Sequence, residues 1–302
     1  MNKKIIIILG PTATGKTNLA VKLALKYNAE IISADSRQIY KNLDIGTGKD
    51  LNEYNVKGQK IKYHLIDIIN PSDNYSVYNF QIDFERTLKK IKNLNKNIII
   101  CGGTGLYIES LLLDYDFTSS PPPDYNLRKK LNNKSLSELI RYQNEINDNF
   151  MKNPKTDTKN RVIRNIEKCL NKRTALPYKG ILPLNNYVVI GINQGRKAVR
   201  EKITERLKYR LSKGMIEEVE NLIKLGVSHE RLYYFGLEYR FISNFIKGEI
   251  SKIELFENLN TAIHKFSKKQ MTFFRRMERR GVKINWISDN KINLLEKNNV
   301  II

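Results

Sequence analysis

Gly10, Pro11, Thr12, Ala13, Thr14, Gly15, Lys16 and Thr17 spell G-x-x-x-x-G-K-[ST], and these residue types at this spacing can hold phosphate. The glycines let the backbone curl so that N–H groups point inward, and a helix opening behind them adds partial positive charge. Lys16 brings a full charge to phosphate oxygens, and the Thr17 hydroxyl can ligate Mg2+. The motif specifies a bound polyphosphate without saying that it belongs to a nucleotide. What is done with that phosphate depends on the groups that face the loop.

Asp35 closes the run "AEIISAD". A carboxylate there can be a general base, a Mg2+ ligand or the N-cap of the turn that follows. Ser36 and Gln38 beside it carry donors and acceptors suited to a base edge. "CGGTGLY", residues 101–107, is a second glycine turn, in which Gly102 and Gly103 permit close backbone approach. Thr104 there is either a helix cap or a hydroxyl offered to a ligand. No apolar strand ends in the Asp or Asp-Glu pair of an ATPase, and Asp67 in "YHLIDI" reads equally well as structural. The machinery for hydrolysis is incomplete. His64 and His229 have no partners at metal spacing, and Cys101 and Cys169 form neither a disulfide framework nor a metal cluster.

These groups need a scaffold, and the hydropathy pattern supplies one. "KIIIIL", "AEIISAD" and "NIIICGG" read as buried strands, each followed by a turn and a helical pattern. That alternation predicts an α/β fold, a parallel sheet flanked by helices of the P-loop NTPase-like kind. Pro121, Pro122 and Pro123 mark a boundary, and Pro177, Gly180 and Pro183 mark a second. Residues 116–184 are therefore expected to form a helical insertion, and residues 1–115 and 185–302 the core. "NNYVVIGIN" returns to the sheet, the chain from Arg196 is mostly helical, and "KINWI" adds a last strand. Hydrophobic residues make up 41% of 302, enough for a sizeable core, and the longest apolar run, Ile5–Leu9, is too short to span a bilayer. The expectation is a cytoplasmic protein without membrane attachment, monomeric by default. Fifty-three Lys and Arg against 31 Asp and Glu leave a formal charge of +22. A field of that sign gathers polyanions, although a chain crowded with Lys, Asn and Ile carries part of the excess as background.

"GPTATGKT", "ISADSRQIYKNLDIGTGK", "YHLIDI", "GGTGLYIESLL" and "KKQMTFFR", in this order and spacing, resemble the tRNA dimethylallyltransferase (isopentenyltransferase) family. The likeness covers most of both core segments, and reaches the insertion only in layout and a few residues. It implies a prenyltransferase that moves a dimethylallyl group from dimethylallyl diphosphate to N6 of adenosine 37, beside the anticodon, in tRNAs that read codons beginning with U. Residues 10–17 would then grip the diphosphate, with Lys16 and Thr17–Mg2+ neutralising the leaving group. Asp35 matches the family's base, Thr104 a contact to the target nucleotide, and Ser36, Arg37 and Gln38 the tRNA-contacting segment.

The same resemblance assigns tRNA contacts to Arg128 and to "NRVIR" in the insertion, where Asn160 replaces a glutamine and Arg161 and Arg164 are retained. From spacing alone, Arg161 and Arg164 share a helix face, which reaches phosphates or is simply solvated. Arg240 matches a family basic residue and is a candidate diphosphate ligand. It follows Glu238 where the family has glycine, and His264 stands where arginine is common; both changes concern the diphosphate shell. In "HKFSKKQMTFFRRMERR", Lys265, Lys268, Lys269, Arg275, Arg276 and Arg279 gather on one helical face, and Phe266, Phe273, Phe274 and Met277 on a core-facing one. Two other readings compete. A P-loop kinase of a small metabolite explains the loop and Asp35 but not the charge or the basic insertion. A non-catalytic RNA-binding module leaves Asp35 without a purpose.

Overall fold

In the computed structural model, which describes residues 5–56, 58–113, 121, 123–151, 154–171, 181–182 and 186–288, the run Ile5–Leu9 forms β1, buried at every position. It is followed by α1 (Lys16–Lys26), β2 (Ala29–Ser33), a 3-10 turn (Leu51–Tyr54), β3 (Asn55–Val56), β4 (Gln59–Lys60), β5 (Tyr63–His64), α2 (Val77–Asn93), β6 (Asn97–Gly102) and α3 (Gly105–Leu112). Then come α4 (Tyr125–Leu131), α5 (Leu136–Asn147), α6 (Lys159–Leu170) and β7 (Tyr187–Ile192). The chain ends through α7 (Arg196–Ser212), α8 (Met215–Lys224), α9 (His229–Phe235), α10 (Leu237–Ile246), α11 (Lys252–Arg279) and β8 (Ile284–Ile287).

Six strands make one sheet in the order β5-β2-β6-β1-β7-β8, every pair parallel. Period-two alternation sends Ile5, Ile7 and Leu9 into one apolar core and Ile6 and Ile8 into another. Ile98 and Ile100 of β6 join the first core, Ile99 and Cys101 the second. Burial on both faces is why these strands are unbroken β-branched runs. Leu19, Leu23 and Ala24 seat α1 on one side, and residues of α2, α3 and α7–α11 cover the other. A capping box fixes the start of α11, worth about 1 kcal/mol: the Glu254 N–H donates to Ser251 Oγ at 3.3 Å and the Ser251 N–H to Glu254 Oε2 at 2.8 Å. Register along this 28-residue helix decides which side chains reach the site.

The chain divides into two compact units, Met1–Leu113 with Gly180–Ile302, and Asp114–Lys179. In the second, Leu131, Leu139, Val162, Ile163 and Ile166 form a separate small core among α4, α5 and α6. Both sequence boundaries fall largely on undescribed residues: Pro122, Pro177, Gly180 and Pro183 lie outside those described. The β3–β4 ribbon and the 3-10 turn had no sequence expectation. Among the described residues, no helix is long and apolar enough to cross a membrane.

Candidate active site

Parallel strands present the turns at their carboxyl ends to one edge of the sheet, where α/β folds build their sites. Three such turns meet here. The loop after β1 reaches α1 through Gly15, which sits at φ 77°, where glycine has no Cβ penalty. Within it Thr14 Oγ1 donates to the Pro11 carbonyl at 2.9 Å, and Lys16 Nζ to the same carbonyl at 2.7 Å. Burial lowers the Lys16 ammonium to about 8; nearby Cys101 and Asp35 pull it up and Arg206 pushes it down.

The turn after β2 carries Asp35, whose Oδ1 accepts the Arg37 N–H at 2.9 Å. The carboxylate thus caps its own turn while standing on the cavity wall. From the turn after β6, Thr104 Oγ1 accepts the Ser36 N–H at 3.0 Å and donates to Ser36 Oγ at 3.2 Å. Thr104 is the N-terminal flank of α3 but makes no side-chain cap bond there; its hydroxyl fixes the residue next to Asp35 instead. Gly102 is required for this meeting, since a Cβ would lie 2.2 Å from the Ala34 carbonyl oxygen. Gln38 lines the same wall, yet its amide is engaged within the fold, accepting from Ser33 Oγ and donating to the Gly48 carbonyl, both at 3.1 Å. A base edge would have to displace those bonds. Arg37 stacks on the Tyr234 ring, 5.1 Å from its centre.

Gln270 of α11, 8% exposed, joins two of the turns. Its Oε1 accepts the Thr12 N–H at 2.9 Å, and its Nε2 donates to the Gly103 carbonyl at 3.0 Å. Phe274 and Met277 of the same helix are in the core, as their spacing suggests. Phe266 is exposed instead, and Phe273 is partly buried against that core; both line the cavity, and Phe273 lies so close to Gly105 that a Cβ there would come within 2.3 Å of its ring.

The turns enclose a cavity of about 860 Å3. Part of its lining comes from α7, which the sequence reading passed over. Lys202, Arg206 and Arg210, at four-residue steps on one helix face, all line it. That spacing was the available signal. Arg206 pairs with Asp50 at 2.5 Å and reaches Thr12 Oγ1 at 3.4 Å, beside the phosphate loop. Glu238 faces the same cavity, and burial raises its carboxyl above the ordinary range while Arg210 and Arg206 hold it down. Arg240 corrects an expectation: two residues along α10, about 200° around the helix from Glu238, it is exposed and stacks on Phe241 at 4.9 Å. It does not line the cavity, whose basic residues from α7 are Lys202, Arg206 and Arg210. His264 is also elsewhere, 3.2 Å from the Arg200 carbonyl.

Lys49, His64 and His229 are engaged within the fold. Lys49 is buried and bonded to Asp44 and Asp67. His64 pairs with Glu30 at 2.6 Å and His229 with Ser243 at 2.7 Å. Burial pushes the Cys101 thiol up to about 12, so it is no nucleophile at neutral pH.

In the helical unit, Glu167 is 1% exposed and collects three partners. Arg128 binds it in two-pronged fashion at 2.7 and 2.9 Å, Arg164 at 2.8 Å, and the Asp124 N–H at 2.9 Å. Arg128 and Arg164 therefore help to hold the unit together, each with about a third of its side chain exposed. Arg161 pairs with Asp157 on the surface and Asn160 is exposed.

A family model described as IPP transferase matches residues 38–277. The tRNA dimethylallyltransferase 1 of Azobacteroides pseudotrichonymphae genomovar. CFP2 is 45% identical over 299 residues, covering 97% of this chain and 96% of that one. The tRNA dimethylallyltransferase 1 of Parabacteroides distasonis is 47% identical over 286 residues, covering 94% and 92%. Among solved structures, the full-length tRNA isopentenylpyrophosphate transferase of Bacillus halodurans aligns with a TM-score of 0.69 at 26% identity, covering 99% and 94%. A P-loop on the first strand of a parallel sheet gives the core a P-loop NTPase-like fold.

Proposed function

The chain belongs to the IPP transferase family, and from that premise we propose that it transfers a dimethylallyl group from dimethylallyl diphosphate to N6 of adenosine 37 in tRNAs reading codons that begin with U. The carrying observation is the convergence of the loop 10–17, Asp35 and Thr104 on one cavity. In the reaction, the N6 lone pair forms the new bond to the allylic carbon. The carbon–oxygen bond breaks with its electron pair going to diphosphate, and the N6 proton goes to the Asp35 carboxylate. That amine is a poor nucleophile because its lone pair is delocalised into the purine, so proton removal during attack restores its strength. Lys16 and Arg206, both lining the cavity, neutralise the charge that grows on the leaving group.

Thr104 and Ser36 hold the turn that aims Asp35. The target base must leave its stack to enter such a cavity, which is easier in an anticodon loop than in a duplex. Arg37 and Gln38 at the cavity wall and Arg128, Asn160, Arg161 and Arg164 of the helical unit are proposed as tRNA contacts.

Among the described residues, no three carboxylates, histidines or cysteines converge at metal spacing. The donor set at the loop suits Mg2+ held by the Thr17 hydroxyl with diphosphate oxygens and water, the manner in which this ion usually binds phosphate substrates. Bound there, Mg2+ supplies further positive charge to the leaving oxygens.

The test mixes the protein, Mg2+ and labelled dimethylallyl diphosphate with an unmodified tRNA carrying A36-A37-A38. Label enters the tRNA, fails to enter when A37 is replaced by G, and enters about 100- to 10,000-fold more slowly with Asp35→Ala. No transfer by the unaltered protein, with ATP turned over against small hydroxylated acceptors instead, would leave the kinase reading in its place.

A further inference from the structure

Arg210 is 8% exposed, and its Nε and Nη2 are buried without a hydrogen-bond partner among the described residues. Burying unpaired N–H groups of a charged side chain is costly, so such a group calls for an explanation. The backbone makes specific room for it: a Cβ on Gly48 would lie 1.5 Å from Arg210 Nη2 and 2.4 Å from Arg206 Nη2. Burial and the neighbouring Arg206 lower its pKa to about 10, while Asp50 and Glu238 oppose them.

The partner that fits is near. Asp50 Oδ2 stands between the two guanidinium groups, bonded to Arg206 Nη2 at 2.5 Å and 3.7 Å from Arg210 Nη2. Arg206 is also 3.4 Å from Thr12 Oγ1, so a small swing brings it onto a diphosphate in the loop 10–17. That swing would leave the Asp50 carboxylate with only its longer ion pair to Arg210. We propose that Arg210 is a positioning residue for the donor site, drawing Asp50 from its long ion pair into a direct hydrogen bond as Arg206 turns to the diphosphate, so that donor binding converts a shared carboxylate into one held by Arg210 alone. The inference rests on the reading that diphosphate occupies the loop. It assigns Arg210 a role through Asp50 and Arg206, without contact to the reacting atoms.

The test is a double-mutant cycle on the binding of inorganic diphosphate with Mg2+, measured by calorimetry. Arg210→Met should weaken binding about tenfold when Asp50 is present and less than twofold in an Asp50→Asn background, a coupling in the range of contacting charged pairs. Through the donor KM rather than kcat, the same loss should appear in transfer assays. A static charge acting at a distance would weaken binding by equal factors in both backgrounds, or more strongly in Asp50→Asn, and either result overturns the proposal. A loss that disappears with Glu238→Gln instead of Asp50→Asn makes Glu238 the receiver and also overturns it. Arg210→Gln, which keeps a donor for Asp50 without the charge, should fall between the two and carries the cycle should Arg210→Met fail to fold. A wild-type protein that neither binds diphosphate nor transfers a prenyl group refutes the functional reading and this inference together; one that does both, with an additive cycle, refutes only the inference.

Discussion

Lys16 shows how one residue's environment sets the conditions of its chemistry. Its ammonium is lowered to about 8, above all by burial, so above that pH the side chain is increasingly neutral. Diphosphate in the loop favours the charged form, and binding above pH 8 must therefore take up a proton. Affinity for diphosphate should hold up to about pH 8 and then fall by up to about tenfold per pH unit. Calorimetry in buffers of different ionisation heat checks both the trend and the proton uptake; a flat profile from pH 7 to 10 contradicts the assignment. Asp35 was equally visible in the sequence, but as base, metal ligand or cap. The structure gives its Oδ1 the cap and its carboxylate a place on the cavity wall. The cap bond therefore leaves the carboxylate open to the proposed role as base.

At the scale of elements, the site depends on how closely β2 and β6 approach. Gly102→Ala would drive a Cβ to 2.2 Å from the Ala34 carbonyl oxygen, and backbone on both sides leaves no flexible atom to yield. The variant should lose about 2 kcal/mol of stability and displace Asp35, lowering both the melting temperature and the transfer rate. A variant with wild-type melting and activity would show that the approach is not needed. In the helical unit, burial pushes the Glu167 carboxyl up, and hydrogen bonds from Arg128, Arg164 and the Asp124 N–H outweigh it, leaving it below the ordinary range. A carboxyl so lowered stabilises the folded unit at and above the ordinary glutamate range, and the contribution is lost as pH falls through its folded value. Helical signal from this unit should therefore decrease on acidification. Glu167→Gln should remove that acid step and cost about 2 kcal/mol at neutral pH, less than a fully buried pair because both arginines are part-exposed. Circular dichroism against pH measures both.

For the whole molecule, a formal charge of +22 on 302 residues bears on tRNA far more than on the small donor. If about six phosphates are neutralised, log K for tRNA against log salt should have a slope of about −4, each contact to a single strand contributing about −0.7. Fluorescence anisotropy across 50–300 mM salt gives the slope, and a value near zero would argue against a phosphate-tracking surface. Replacing Arg161 with alanine should lower that slope by somewhat less than one unit.

The sequence by itself determined five of the six sheet strands, the phosphate loop and the two turns that face it. Those features are local: β-branched runs such as Ile5–Leu9, glycines where the backbone must curl, and a lysine and a threonine at fixed offsets are each legible within a dozen residues. Helical phase likewise put Phe274 and Met277 in the core without any knowledge of their partners. Only the tertiary structure decided which distant groups complete the site. Gln270 meets Thr12 across 258 positions and Arg206 meets Asp50 across 156, and no local pattern announces such partners. It also decided that Arg240 points to solvent, that Phe273 walls the cavity, and that Arg128 and Arg164 hold Glu167. The reason is physical. A side chain's role follows from the surface it is folded against, and that surface is made by parts of the chain its own neighbourhood does not encode.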